Sequence, residues 1–209
     1  LNHEYQVSAD ELSWVVGTPV HPGINLPAQI PIERISPGQS LEKMLEAGEI
    51  DALISVVVPQ SFRTKNPHVK RLFPNYREVE TEYYRRTRIF PIMHTFVLKT
   101  DLFQNEPWIA ISLYKAFVQA KELNYRRLYD TNALLVSLPW LIDEIEASRR
   151  IFGEDIWDYS IEGSRPSLEA LVEYLDEQGL TRRRMKIEEL FVPNIRPELL
   201  HYLRATGEE

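Results

Sequence analysis

Arg85, Arg86 and Arg88 place three guanidinium groups within four positions, and His94 follows after a short apolar stretch. A planar guanidinium holds a carboxylate through two parallel hydrogen bonds, and an imidazole titrates near neutral pH, so the pattern suits an anion held beside a proton-transfer group. The same residues also suit a helix that ends in solvated positive charge, which the helix dipole favours. Both readings stay open on these residues alone. Alternation through Met93-His94-Thr95-Phe96-Val97-Leu98 sets His94 on one face with Phe96 and Leu98, predicting a largely buried imidazole near the start of a strand. Such a histidine is either a satisfied core residue or an acid or base opening on a cleft.

A second short segment, Pro59-Gln60-Ser61-Phe62, directly follows an apolar run at 50–58. Ligands of open α/β sheets bind beyond the carboxyl ends of strands, which makes Ser61 and the next residue but one, Arg63, candidate contacts. Other chemistries lack their residues. His3, His21, His68, His94 and His201 are scattered without HxH or HxxxH spacing, so no metal is expected. There is no cysteine for a disulfide, a thiolate ligand or a nucleophile, and no glycine-rich phosphate loop, GxSxG or GxGxxG. No cofactor is expected. The formal net charge of −7, with both signs interspersed, argues against a nucleic-acid surface and for a small-molecule partner. No apolar run approaches the about 20 residues that span a bilayer.

The elements that must position these residues can be read from period and punctuation. A content of 44% hydrophobic and 26% charged residues is that of a globular chain able to bury a core. Residues 18–38, with Pro19, Pro22, Gly23, Pro27, Pro31, Pro37 and Gly38, read as a loop with short extended pieces. Ser40 can cap a short helix carrying Leu41, Met44 and Leu45, and Gly48 stops it. The β-branched runs at 50–58 and 92–98 read as strands covered on both faces. Between them Pro74 opens a helix to about Thr87, with Tyr76, Val79 and Tyr83 on one side. Asn105, Glu106 and Pro107 start the clearest helix, with Ile109, Leu113, Ala116, Phe117, Ala120 and Leu123 as its apolar face. Helices follow at 139–152, ending at Gly153, and at 167–178, ending at Gly179, with shorter pieces at 186–191 and 197–204. Trp140 and Trp157 read as packing residues. Two strands of parallel-sheet character have too few partners here, so the missing neighbours are expected from sequence before Leu1 or from another chain.

In order and spacing, MLEAGEIDALI (44–54), RLFPNYREVETEYYRRTRIFPIMH (71–94), EPWIAISLYKAFVQAK (106–121), SLPWL (137–141) and GEDIWDYSIEGSRPSLEALVEYLDEQGL (153–180) resemble the 4,5-dihydroxyphthalate decarboxylase family over nearly the whole chain. Members of that family look like type II periplasmic binding proteins and are often labelled substrate-binding proteins of ABC transporters. The resemblance implies an α/β, two-lobed fold of that type lacking the N-terminal part of its first lobe. It places 1–88 in the remainder of the second lobe and the crossover, and 89–209 in the return to the first lobe with the C-terminal helices. Three positions depart from the family pattern: Arg88 stands where a glycine follows the threonine, Ser55-Val56-Val57-Val58 where smaller or basic residues precede the proline, and Ser160 where a glycine follows the tyrosine. An arginine is not expected to copy a glycine that needs positive φ.

The implied activity is that of a carboxy-lyase: removal of one carboxylate from a dihydroxylated phthalate to leave protocatechuate, in aromatic-compound degradation. On that implication Arg85 and Arg86 orient carboxylates, His94 handles a phenolic or ring proton, Ser61 and Thr87 contribute hydrogen bonds, and Tyr84 is a secondary contact. The partner is a small anionic aromatic substrate and the location cytoplasmic. The competing expectation is a solute-binding protein of an ABC transporter without catalysis, which would be periplasmic.

Overall fold

Helix-forming segments separated by glycine and proline account for most of the regular structure. The computed structural model describes residues 1–17 and 30–192. The chain divides into two compact units, Leu1–Tyr76 with Asp176–Arg182, and Arg77–Leu175 with Arg183–Glu209.

The first unit contains α1 (Asn2–Tyr5), β1 (Trp14–Val16), β2 (Ile32–Arg34), α2 (Leu41–Ala47) and α3 (Gln60–Arg63). The two strands pair in parallel, with Trp14 opposite Ile32 and Val16 opposite Arg34. Ser40 occupies the cap position of α2 as its sequence suggests, although its hydroxyl makes no capping bond; Gly48 ends the helix at φ 73°, its N–H reaching the carbonyls of Leu45 and Met44. Glycine suits this left-handed stop because it has no Cβ to clash. Tyr5 stacks on Phe73 at 5.5 Å, and Val69 and Ser61 are the buried residues among those described in this unit.

The second unit is helical among its described residues. It takes α4 (Tyr76–Thr87) from its second residue, α5 (Thr100–Asn105), α6 (Trp108–Leu128), α7 (Leu141–Phe152) and α8 (Ile161–Glu177) up to Leu175. On α4, Val79, Tyr83, Tyr84 and Thr87 form the half-buried side, leaving the acidic face in solvent. On α6 the covered stripe runs through Ala110, Tyr114, Phe117, Lys121, Tyr125 and Leu128. Leu113 and Leu123, expected inside, are more than a third exposed. α7 ends at Gly153 as its sequence indicates, and begins after Trp140, which sits at φ 66°. α8 starts six residues before the expected 167 and carries Pro166 within it. The amide that Pro166 lacks would have met the Glu162 carbonyl, so the helix runs on without one of its ladder bonds. Leu168, Ala170 and Val172 on α8, with Ala110 and Ile187, supply the buried apolar side chains. The 186–191 piece is a single 3-10 turn, Ile187–Glu189, and the helix expected at 197–204 lies outside the described residues, as do His21, His201 and Pro19 to Pro27.

Two expected strands are not strands. Residues 50–58 and 92–98 have no regular secondary structure, and most of their apolar side chains stand in solvent: Val56 is 95% and Phe96, whose ring stacks on Phe117, 78% exposed, while Ile50, Leu53 and Leu98 are half-buried. The cause is non-local. A β-branched run becomes a strand only when a neighbour takes its backbone hydrogen bonds, and among the described residues none lies beside either run. No described helix is long and apolar enough to cross a membrane.

Candidate functional site

The last turn of α4 collects the arginines and fixes how the chain leaves the helix. The Thr87 hydroxyl donates to the Tyr83 carbonyl at 2.8 Å and accepts from the Ile89 amide at 3.1 Å, so it satisfies both sides of the helix stop. Arg88 then turns the chain at φ 59°, its amide donating to the Tyr84 carbonyl at 2.7 Å. This corrects the expectation that arginine would not take the conformation glycine supplies: Arg88 takes it, and its guanidinium lies 4.7 Å from the centre of the Tyr84 ring. That contact offsets part of the left-handed backbone penalty.

Beyond the turn, Phe90 enters an aromatic cluster. It lies 5.0 Å from Phe152, 4.9 Å from Trp157 and 6.4 Å from Tyr84, with Tyr84 and Phe152 4.7 Å apart. Trp157 thus packs as expected, whereas Trp140 is 81% exposed and does not. Arg85 and Arg86 point outward. Arg85 meets Glu82 at 4.0 Å in solvent, and Arg86 lies 5.8 Å from the Tyr83 ring. Consecutive helical residues diverge by about 100°, so the two guanidiniums present separate faces instead of gripping one carboxylate together.

His94 is exposed, not buried as alternation predicts. A period-two pattern defines faces only within a paired sheet, and this segment is unpaired. Ser61 belongs to the first unit and is 3% exposed; its amide donates to Glu42 Oε1 at 2.8 Å, while its hydroxyl has no hydrogen-bond partner among the described residues. Tyr84, Arg85, Arg86 and Thr87 therefore share one anchored helix end, His94 lies further along the exposed segment leaving it, and Ser61 is in the other unit. Among the described residues no three His, Asp or Glu side chains gather to hold a metal ion.

A second constellation was not expected from sequence. Lys121, on the covered side of α6 with its side chain only 8% exposed, donates to Asp155 Oδ2 at 2.6 Å and to the Trp157 carbonyl at 2.8 Å. Its ammonium is 4.5 Å from the centre of the Tyr159 ring. One turn later Tyr125 accepts from the Trp157 amide at 3.1 Å and approaches Asp155 Oδ1 at 3.4 Å. Burial pushes the Tyr125 hydroxyl above the usual phenol range; the Trp157 amide opposes this and the Asp155 carboxylate adds to it. A cavity of about 480 Å³ lies against this group, with Tyr129, Glu144, Ser148 and Arg149 among the other residues of its wall. The spacing of Lys121 and Tyr125, one helical turn apart, was the available signal; it is invisible to a search for apolar stripes.

No protein-family model matches the chain. Among curated proteins, it is 33% identical over 199 residues to a 4,5-dihydroxyphthalate decarboxylase of Comamonas testosteroni, a match covering 92% of this chain and 60% of the relative. It is 28% identical over 91 residues to a 4,5-dihydroxyphthalate decarboxylase of Pseudomonas putida, covering 41% of this chain and 35% of that relative. The resemblance read from the motifs is borne out. The chain spans 60% of the length of the Comamonas protein.

Proposed function

Since this chain is by sequence a relative of the 4,5-dihydroxyphthalate decarboxylases, we propose that the protein carrying it removes one carboxylate from a dihydroxylated aromatic dicarboxylate, of the 4,5-dihydroxyphthalate to protocatechuate type. The similarity over 92% of the chain is the observation that carries this reading. The chemistry sets the requirements. A phenolate oxygen para to the carboxylated carbon pushes electron density toward it while a proton adds there; the bond to the carboxylate then breaks, CO2 leaves, and the ring regains aromaticity. One proton is consumed per CO2 and no electron enters or leaves, so no redox cofactor is required.

The end of α4 suits these demands. Arg85 and Arg86, diverging on adjacent positions, each take one carboxylate of a dicarboxylate. His94, exposed and so accessible, accepts the phenolic proton or delivers the ring proton. Tyr84 is a ring contact, and Thr87 contributes a hydrogen bond when its helix-ending bonds open.

We also take the chain to be part of a two-lobed α/β fold of the type II periplasmic-binding-protein kind, located in the cytoplasm. In that arrangement the bare runs 50–58 and 92–98 pair with strands of a further polypeptide segment, which would remove the exposure of Val56 and Phe96. The test is mass-spectrometric: incubation with 4,5-dihydroxyphthalate is expected to release CO2, and His94→Gln to lower turnover by about 100-fold or more. Unchanged turnover in His94→Gln removes the proton-transfer assignment. Retention of the dicarboxylate without product overturns the decarboxylase reading and assigns a solute-binding protein.

A further inference from the structure

The cavity beside Lys121 touches none of the residues assigned above. Its polar groups are largely built in. A buried ammonium is tolerated only when its protons are partnered, and Lys121 spends its own on Asp155 and the Trp157 carbonyl, with the Tyr159 ring beside it. The lysine therefore holds the wall together and is not free to receive an anion. Arg149 differs. Its guanidinium lies 4.9 Å from the centre of the Tyr129 ring and 3.2 Å from Glu154, a carboxylate that is itself 87% exposed. Such a solvent-facing pair is weak and exchangeable, so an incoming carboxylate can replace Glu154 on the planar guanidinium.

The rest of the wall joins four rings, Tyr125, Tyr129, Trp157 and Tyr159, to aliphatic and polar side chains; its carboxylate, Glu144, is held by Arg77 at 3.0 Å, and the volume of about 480 Å³ exceeds that of a single substituted benzene ring. Flat rings prefer offset or edge-on neighbours, and phenol hydroxyls along the wall can meet hydroxyls on a guest. One exchangeable cation and several rings define a guest with one negative charge and one flat face.

We propose that this cavity is a binding site for a planar aromatic monocarboxylate, its ring among Tyr125, Tyr129 and Trp157 and its carboxylate on Arg149. The site is separate from the end of α4 and does not depend on catalysis there. A phenolic monocarboxylate is also the class of product that decarboxylation of an aromatic dicarboxylate leaves, so under the decarboxylase reading the cavity retains product.

The test uses benzoate, which has no para oxygen and cannot undergo the reaction proposed above, so binding is read without turnover. Isothermal titration of the whole protein with benzoate is expected to show saturable binding that Arg149→Gln weakens about tenfold or more. Arg150→Gln, its exposed neighbour on α7, is expected to leave the affinity in place. Benzyl alcohol, with the ring but no charge, is expected to bind at least tenfold more weakly than benzoate. No saturable binding, equal affinity for benzyl alcohol, or equal losses in the two arginine variants overturns the proposal. A failed CO2 assay with intact benzoate binding would overturn the decarboxylase reading alone.

Discussion

The Ser167 hydroxyl donates to the Phe90 carbonyl at 2.8 Å and accepts from the Phe90 amide at 2.9 Å, so one side chain of α8 satisfies both backbone groups of a residue 77 positions earlier. This clamp fixes where the chain goes after the arginine-bearing turn. It is a buried replacement for the pairing a neighbouring strand would otherwise provide.

Ser167→Ala therefore leaves a partly buried N–H and C=O without partners. The expected cost is about 1–3 kcal/mol, or a fall in melting temperature of roughly 2–10 °C, read by thermal unfolding. Amide exchange at Phe90 should accelerate in the same variant. An unchanged exchange rate would show that the clamp does not hold the segment.

Arg88 offers a comparison of two variants. Alanine and glycine both remove the guanidinium from the Tyr84 ring, but only glycine relieves the backbone at φ 59°. Arg88→Gly is expected to be more stable than Arg88→Ala by about 1 kcal/mol in urea unfolding, the reverse of the order in a helix interior.

The Lys121–Asp155 pair is asymmetric, with the lysine side chain 8% and the aspartate 47% exposed. Removing the aspartate strands a buried ammonium, whereas removing the lysine leaves a carboxylate that water can reach. Asp155→Asn is expected to cost about 2–3 kcal/mol and Lys121→Met about 1 kcal/mol, measured by denaturant midpoints. Equal losses would mean that the pair is solvated on both sides.

At the 3-10 turn after α8, the Arg183 guanidinium, the Lys186 amide and their charges hold the Glu189 carboxyl down to about 2. A carboxyl whose folded value lies below its unfolded value stabilises the fold above the unfolded value and loses that contribution as pH falls toward the folded one. The turn should therefore loosen between about pH 4.5 and 2. Carboxyl NMR should give Glu189 a midpoint near 2, and Arg183→Gln should raise it toward the ordinary glutamate range.

What the sequence makes legible is what neighbours in the chain decide. α7 and its Gly153 stop, the Gly48 stop of α2 and the arginine-rich end of α4 follow from spacing and punctuation within a dozen residues. The departures arise from longer range. The covered face of α6 passes through Lys121 and Tyr125, because Asp155 and Trp157 come to meet them, so a search for apolar stripes chose Leu113 and Leu123 instead. The two β-branched runs carry strand propensity without the partner that would make them strands, and His94 inherits its exposure from that. α8 begins at Ile161, ahead of the 167 expected, and runs through Pro166 although that residue has no amide for the helix ladder.

The bare run at 92–97 has a colloidal consequence. Ile92, Met93, Phe96 and Val97 present a short, uncharged, proline-free segment to solvent, the composition that stacks with copies of itself. Arg88 and Lys99 bracket it as gatekeepers, and their mutual repulsion between molecules is what salt screens. Solutions of this chain should accordingly turn turbid sooner at high ionic strength than at low.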